Sequence, residues 1–283
     1  MEIGIGLPTT ISDVDGKRMV EWARRAEQRG FSSLGVIDRV VYGNYEPLIA
    51  LAGAATVTER IRLTTSVLLA PLRTNHAEFA KQAATLDRLS NGRLVLGLGI
   101  GGREDDFEAS GTDLGARAKD MDALLDRSAA AWRGDLGVGP TPVTPGGPQV
   151  LIGGSAPASF RRVAKYGAGW IMGGGSPDEF RKSAAAVREE WSAAGRAGSP
   201  RLAALGYFAL GPNAREAADT YLHHYYSWLG PIADYIAGAA AVSPELVRGA
   251  VDAFTDAGCD ELILFPCDAD LSQVDLLADV ALS

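Results

Sequence analysis

The sequence predicts a closed α/β barrel, a (β/α)8 or TIM barrel, with an insert between its seventh and eighth strands. Three observations carry that expectation. Short apolar runs alternate with helical patterns along the whole chain, eight times over. Alternation of this kind implies a parallel sheet, because parallel neighbours need a crossover connection, usually a helix. Eight units imply closure, and 283 residues suit one barrel domain, 1–283, better than two smaller ones. The competing architecture is a doubly wound open sheet, but no GxGxxG opens a helix after the first strand.

In chain order the strands are expected at Glu2–Leu7, Ser33–Ile37, Arg62–Val67, Leu94–Leu98, Val150–Gly153, Gly169–Met172, Leu202–Ala209 and Glu261–Phe265. Helices are expected between them, among them Gly16–Arg29, Pro47–Thr58, Ala77–Leu89, Thr112–Trp132, Ala156–Tyr166, Pro177–Ala194 and Pro244–Ala257. The stretch LDRLSNGRLVLGLGIGG, Leu86–Gly102, illustrates the signals. Leu86 and Leu89 close an amphipathic helix begun near His76, and Ser90-Asn91-Gly92 supplies the turn that stops it. Leu94-Val95-Leu96 is apolar on both faces, as befits a strand covered on both sides. Gly99, Gly101 and Gly102 follow at its C-terminal end, where the missing Cβ lets backbone approach a neighbour.

Two segments depart from the repeat. Gly134–Pro148 reads as a Gly/Pro-rich surface connection. Residues 212–243 form the helical insert, which contains HHYYSWLGPIADYIAG, His223–Gly238. Its aromatics Tyr225, Tyr226, Trp228 and Tyr235 either lid a pocket, bury a subunit contact or pack locally under a long connection.

Composition narrows the function classes. Hydrophobic residues make up 47% of the chain, enough for a large core. A net charge of −8 argues against an extended nucleic-acid surface or a face for anionic membranes. No opening run resembles a signal peptide and no apolar stretch is long enough to span a bilayer, so the cytoplasm is the expected compartment. Cys259 and Cys267 flank one expected strand and point apart along it, so no disulfide is expected.

Enzyme sites of barrels lie on the loops after the strands. The tips here read Pro8-Thr9, Asp38-Arg39, Ser66-Val67, Gly99-Ile100-Gly101, Gly153-Gly154-Ser155 and Gly173-Gly174-Gly175. Small residues dominate, which is a poor inventory for hydrolysis. The only histidines are His76, His223 and His224, with no HxH, HExxH or GxSxG, so no metal site is expected. A cradle of backbone amides suits a protein that holds a reactive cofactor and leaves the chemistry to it. Gly153-Gly154-Ser155 follows a strand and opens a helix at Ala156-Pro157, with Ser155 as an N-cap. Free amides and the helix dipole there favour a phosphate, although an ordinary tight turn explains the residues equally well. Gly173 and Gly174 on the next strand tip would share that ligand.

The segments TERIRLTTSVLLAPLRTNHAEFAKQAATLDRLSNGRLVLGLGIGG (Thr58–Gly102), DDFEASG (Asp105–Gly111) and LIGGSAPASFRRVAKYGAGW (Leu151–Trp170) resemble the bacterial luciferase-like superfamily of flavin and deazaflavin oxidoreductases. The resemblance implies a (β/α)8 barrel, FMN or the deazaflavin F420 as cofactor, a small organic substrate and a homodimer. It places the cofactor ring near Asp38, Ser66 and Val67, with a non-proline cis peptide at Ser66-Val67, and the cofactor phosphate at Gly153, Gly154 and Ser155. Gly99, Gly101, Gly173 and Gly174 complete the expected cofactor contacts, and Asp38 is the catalytic candidate. Asp106-Phe107 stands where relatives have Glu-Phe, a change read as scaffold. The histidine that relatives carry after the second strand is missing; the pair here is Asp38-Arg39. Arg39 either meets an anionic group or makes a surface salt bridge, and Asp38 either meets the ring or caps its loop. His76 is read as close to the mouth, His223 and His224 as solvated, and Trp22 and Trp170 as core. Self-association is expected through Ala50–Ala55 and Ala83–Leu86.

The expected function is hydride transfer through F420 or FMN. The alternatives are an FMN monooxygenase using reduced flavin and O2, a non-catalytic flavin-binding barrel or partner subunit, and a sugar-phosphate lyase or hydrolase. The last needs a lysine or carboxylate pair that the strands lack.

Overall fold

A computed structural model describes residues 1–282; only Ser283, the last residue of the expected domain, lies outside. The chain runs β1 (Glu2–Gly6), α1 (Gly16–Arg29), β2 (Ser33–Val36), α2 (Pro47–Ala55), β3 (Arg62–Leu69), α3 (His76–Leu89), β4 (Leu94–Gly99), α4 (Glu104–Ala109) and α5 (Arg117–Trp132). It continues through β5 (Gln149–Gly153), α6 (Pro157–Tyr166), β6 (Gly169–Met172), α7 (Pro177–Ala193), β7 (Arg201–Phe208), α8 (Ala214–Tyr225), α9 (Ile232–Gly238), α10 (Pro244–Asp256), β8 (Glu261–Pro266) and α11 (Ser272–Ala281). The strands close in sequence order into one parallel barrel, β1 pairing with β8 from Glu2–Glu261 to Ile5–Leu264.

Apolar runs become strands because both faces are covered: Leu94, Val95, Leu96 and Leu98 are all buried. The helices keep apolar stripes toward the barrel, as Met19, Trp22, Ala23 and Ala26 do on α1. Asp15 caps α1 through the Arg18 amide at 2.8 Å, and Gly30 ends it at φ +90°. Ser176 and Glu179 form a capping box on α7. The turn Ser90-Asn91-Gly92 stops α3 as the sequence implies, with positive φ at Asn91 and Gly92. The fully buried Asp87 carboxylate of α3 accepts from the Thr144 amide and hydroxyl, which ties down the Gly134–Pro148 connection.

Several boundaries move. α2 stops at Ala55 instead of Thr58, because Thr56 and Thr58 turn their hydroxyls back onto the Gly53 and Ala54 carbonyls. α5 starts at Arg117, after a 3-10 turn capped by Asp113. Ser155 is not the N-cap of α6: Ala156 holds that position and no side chain caps the helix. The expected association surfaces face inward, since Leu51, Ala54, Ala55, Ala83, Ala84 and Leu86 are buried in the chain's own core. Ile49 is the exposed apolar residue of α2.

At the N-terminal end of the barrel, the buried Glu261 accepts from Ser32, Arg62 and Arg201, and Glu2 pairs with the same two arginines. Burial alone would raise the Glu261 pKa, but the two guanidiniums and the Ser32 hydroxyl outweigh it and lower the value. Both cysteines are free and buried. Among the described residues no helix is long and apolar enough to cross a membrane.

Candidate active site

The C-terminal mouth of the barrel gathers the strand tips, and its geometry starts at β3. The Ser66-Val67 peptide is cis and the β3–β4 register shifts between Thr65 and Leu68. The bulge pushes Val67 toward the neighbouring strands, which answer with glycines. A Cβ on Gly99 would lie 2.6 Å from Val67 Cγ2, and one on Gly153 would lie 3.1 Å from Val67 Cγ1. On Gly97 it would meet the Thr65 carbonyl oxygen at 2.0 Å. Val67 therefore sits partly exposed in a seat that only glycines leave open.

Beside that seat, the β5 tip turns into α6. Gly154 has φ +110°, a conformation that favours glycine, and its carbonyl accepts from the indole of the fully buried Trp170 at 2.8 Å. The indole fixes the turn from below while the amides at the start of α6 stay uncapped by any side chain. Gly154 and Ser155 are exposed above it, and on the adjacent β6 tip nothing lies within 4 Å of a Cβ placed on Gly173 or Gly174. An open, uncapped helix start lined by glycines suits a phosphate, as the donors and the dipole both point outward there.

The β2 tip is more occupied. Asp38 is buried, and its Oδ2 accepts from the Leu69 amide at 2.9 Å and from Arg73 at 2.8 Å. Arg39 is buried as well, so its salt bridge is internal instead of a surface one. Its Nε donates to Asp106 Oδ2 at 2.7 Å, and Asp106 Oδ1 accepts from the Val40 and Val41 amides. Asp106 is thus the bracket holding the β2 loop to α4, which is the scaffold role read from the sequence. Gly101 has φ +68°, and a Cβ there would meet Leu69 and Phe107. Ser66 is buried with an unpartnered hydroxyl.

Residues 212–243, expected as a helical insert, hold α8 and α9 between β7 and α10. The buried face of α8 carries Ala214, Ala218, Tyr221, Leu222 and Tyr225. Tyr207, Tyr221 and Tyr225 join Ile37, Val95, Leu151 and Ile171 in one buried cluster within the barrel, with Val67, Tyr42 and Tyr226 packed against it. Tyr207 and Tyr226 share a 2.7 Å hydroxyl contact. Burial raises the pKa of all four phenols of this group, Tyr207, Tyr221, Tyr225 and Tyr226, so they stay neutral. Further contacts tie this segment to the barrel loops, among them Tyr42 Oη 2.8 Å from His224 Nδ1 and Arg103 stacked 4.8 Å over Trp228. Trp228 and Tyr235 are exposed. His76 lies apart, in a hollow with Arg127 of α5, and burial and that arginine lower its pKa. Among the described residues no group of three or more His, Cys, Asp or Glu side chains could hold a metal.

The specific partners of Trp170, Asp106 and Tyr42 are not evident in the sequence, although Asp106 is readable as scaffold and Trp170 as core. Their partners are 16 to 182 residues distant, and no local pattern announces them.

Residues 1–266 match the family described as luciferase-like monooxygenase. An uncharacterized protein of Mycobacterium tuberculosis is 31% identical over 173 residues, 56% of this chain, and the match spans only 61% of that relative's length. Among solved structures, monooxygenase RslO1 from Streptomyces bottropensis superposes with a TM-score of 0.83 at 22% identity, covering 100% of this chain and 99% of that one. An F420-dependent secondary alcohol dehydrogenase, solved with an F420-acetone adduct, gives 0.79 at 18% identity over 99% and 98%. The oxygenating constituent of the Pseudomonas putida 3,6-diketocamphane monooxygenase, in complex with FMN, gives 0.76 at 16% identity over 99% and 97%. At these identities the likeness is one of fold.

Proposed function

The chain belongs to the luciferase-like monooxygenase family, and from that premise we propose that it is an oxidoreductase that holds F420 or FMN and acts on a small organic substrate. The observation that carries this reading is the uncapped start of α6, with Gly154 at φ +110° and open space over Gly173 and Gly174. A cofactor phosphate would take that place, held by Gly153, Gly154 and Ser155. When bound, either ring supplies hydride chemistry, and reduced FMN can also react with O2. The ring would rest at Val67 on the mouth side of its glycine seat. Asp38 is positioned by Leu69 and Arg73 beside that bulge, so its proposed role toward the ring runs through its remaining oxygen. Residues 212–243 are read as the cover, with Tyr225 and Tyr226 keeping water from the mouth. The Asp38-Arg39 pair at the β2 tip departs from flavin and deazaflavin relatives alike, so the choice between F420 and FMN falls to the titration.

Purified protein titrated separately with F420 and with FMN tests this reading. The expected result is saturable binding of F420 or FMN with a bound-state spectrum. Binding of FMN alone, with product formed only from reduced FMN and O2, would select the monooxygenase reading. No binding of either would overturn the oxidoreductase reading in favour of a partner subunit or a sugar-phosphate lyase or hydrolase.

A further inference from the structure

Across the mouth from the phosphate cradle lies a cavity of about 650 Å³, framed by the segments that follow β1, β2 and β8 and by α8. In an eight-stranded ring closed in sequence order, β1 and β8 stand opposite β4 and β5. A ring anchored by its phosphate at β5 and resting on the β3 bulge would turn its free edge toward this cavity. The cavity wall has two chemical halves. Ile11, Ala217, Cys267 and Ala269 give an apolar side. Facing it are paired hydroxyls and an imidazole: Thr10 Oγ1 with Tyr221 Oη at 2.5 Å, and Tyr42 Oη with His224 Nδ1 at 2.8 Å. Each pair can exchange a partner for a ligand oxygen, as donor or as acceptor.

Charge sets the third property. Glu216 and Asp268 line the cavity, and no lysine or arginine does. Arg215, next to Glu216, turns instead to Asp219 and the Ala237 carbonyl. The positive ends near this space are already answered: Glu216 stands in the first turn of the uncapped α8, and Arg39, 5.6 Å from the Tyr42 ring, is paired with Asp106 and Asp105. An anionic ligand would therefore meet Glu216 and Asp268 with no free side-chain cation in the wall.

We infer that this cavity is the substrate site, that it accepts an uncharged molecule with a hydroxyl or carbonyl on an apolar body, and that it rejects carboxylates and phosphate esters. The inference rests on the oxidoreductase reading for the word substrate; the binding itself does not. Glu216 is the specificity-determining residue, since it is exposed and makes no hydrogen bond that a substitution would break in the fold.

The test uses the full chain without added cofactor and two probes of matched size, 2-naphthaleneethanol and 2-naphthylacetate, by calorimetric titration. The alcohol is expected to bind one to one and the carboxylate at least about tenfold more weakly, a ratio that two nearby carboxylates sustain at low salt. Glu216→Lys should bring the carboxylate to within about threefold of the alcohol, by the same attraction reversed. Thr220→Trp, at an exposed lining position, should abolish binding of both by filling the cavity. Far-UV dichroism and melting curves check that both variants fold. Equal binding of the two probes by the unaltered protein would overturn the inference, as would alcohol binding that survives Thr220→Trp in a folded variant, or no saturable alcohol binding at all. Repeating the titration in a Gly154→Asp background separates the two proposals, because loss of the cofactor site leaves this cavity intact.

Discussion

Gly154→Asp places a carboxylate where the cofactor phosphate is proposed to sit, and its effect can be divided into parts. One part is conformational: residue 154 has φ +110°, and a Cβ there would lie 2.7 Å from Ser159 Oγ. Any side chain at 154 suffers this, so Gly154→Asn is the reference variant rather than the unaltered protein. The other part is charge. At about 5 Å, a carboxylate and one phosphate charge repel by about 3 kcal/mol at an effective dielectric constant near 20, and by about 0.8 kcal/mol in bulk water. The turn is exposed, so the true value lies between these limits. Gly154→Asp should therefore bind the cofactor roughly four- to 150-fold more weakly than Gly154→Asn, taking about 1.4 kcal/mol per tenfold. The difference should shrink in 1 M salt, where the screening length falls to about 3 Å. Fluorescence titration of the cofactor at low and high salt, with melting curves on both variants, gives the comparison. Equal affinities of the folded Asp and Asn variants would refute a phosphate at this turn.

Further expectations follow from the same geometry. Asp38→Ala leaves the Leu69 amide without its acceptor and should cost about 1–3 kcal/mol in urea unfolding, whereas Asp38→Asn should recover much of it. A role of Asp38 toward the ring predicts in addition a fall in kcat larger than any change in cofactor Kd, and full activity of the Ala variant would end that role. Asp106→Ala strips Arg39 of its buried partner and should cost about 3–5 kcal/mol; a melting temperature near that of the unaltered protein would contradict the bracket. The Glu261 pKa is lowered in the folded state, so its contribution is complete above the unfolded value near 4.5 and is lost as pH falls through the folded value. Glu261→Gln should flatten that acid limb of a stability–pH curve, and an unchanged limb would count against it. Self-association is proposed through the exposed Ile49 face of α2, so sedimentation should show a dimer that Ile49→Asp dissociates, and a monomer at micromolar concentration would refute it.

The barrel was legible because its cause is local and repeated. Each apolar run is a strand covered on both sides, and each glycine, proline or capping residue marks a helix end within a few positions. The glycine turn into α6, where a phosphate is proposed, was legible for the same reason, since Gly153-Gly154 before a proline-started helix is a short pattern. Ser155 misled because serine is a good cap wherever the chain uses it, and here the helix begins one residue later. Asp38 and Arg39 were visible as charged residues at a strand tip, but their partners Arg73 and Asp106 lie 35 and 67 residues on. Only the closed ring of strands brings those pairs together. The inward turn of Tyr221 and Tyr225 was equally hidden, because an aromatic stripe at helical spacing fits a lid, an interface or a core.

The seat of Val67 makes the width of the mouth depend unequally on its neighbours. Position 97 is closed by the Thr65 backbone oxygen, whereas positions 99 and 153 are crowded by the Val67 side chain itself. Position 67 is free in one direction only. A smaller residue would open a notch between β3, β4 and β5 reaching down from the rim, while a longer one would have no glycine left to displace. A single codon could thus deepen the floor on which a ring lies and leave the eight-stranded frame untouched. In a lineage that changes ligands, this is where a cheap step toward bulkier ones would be found.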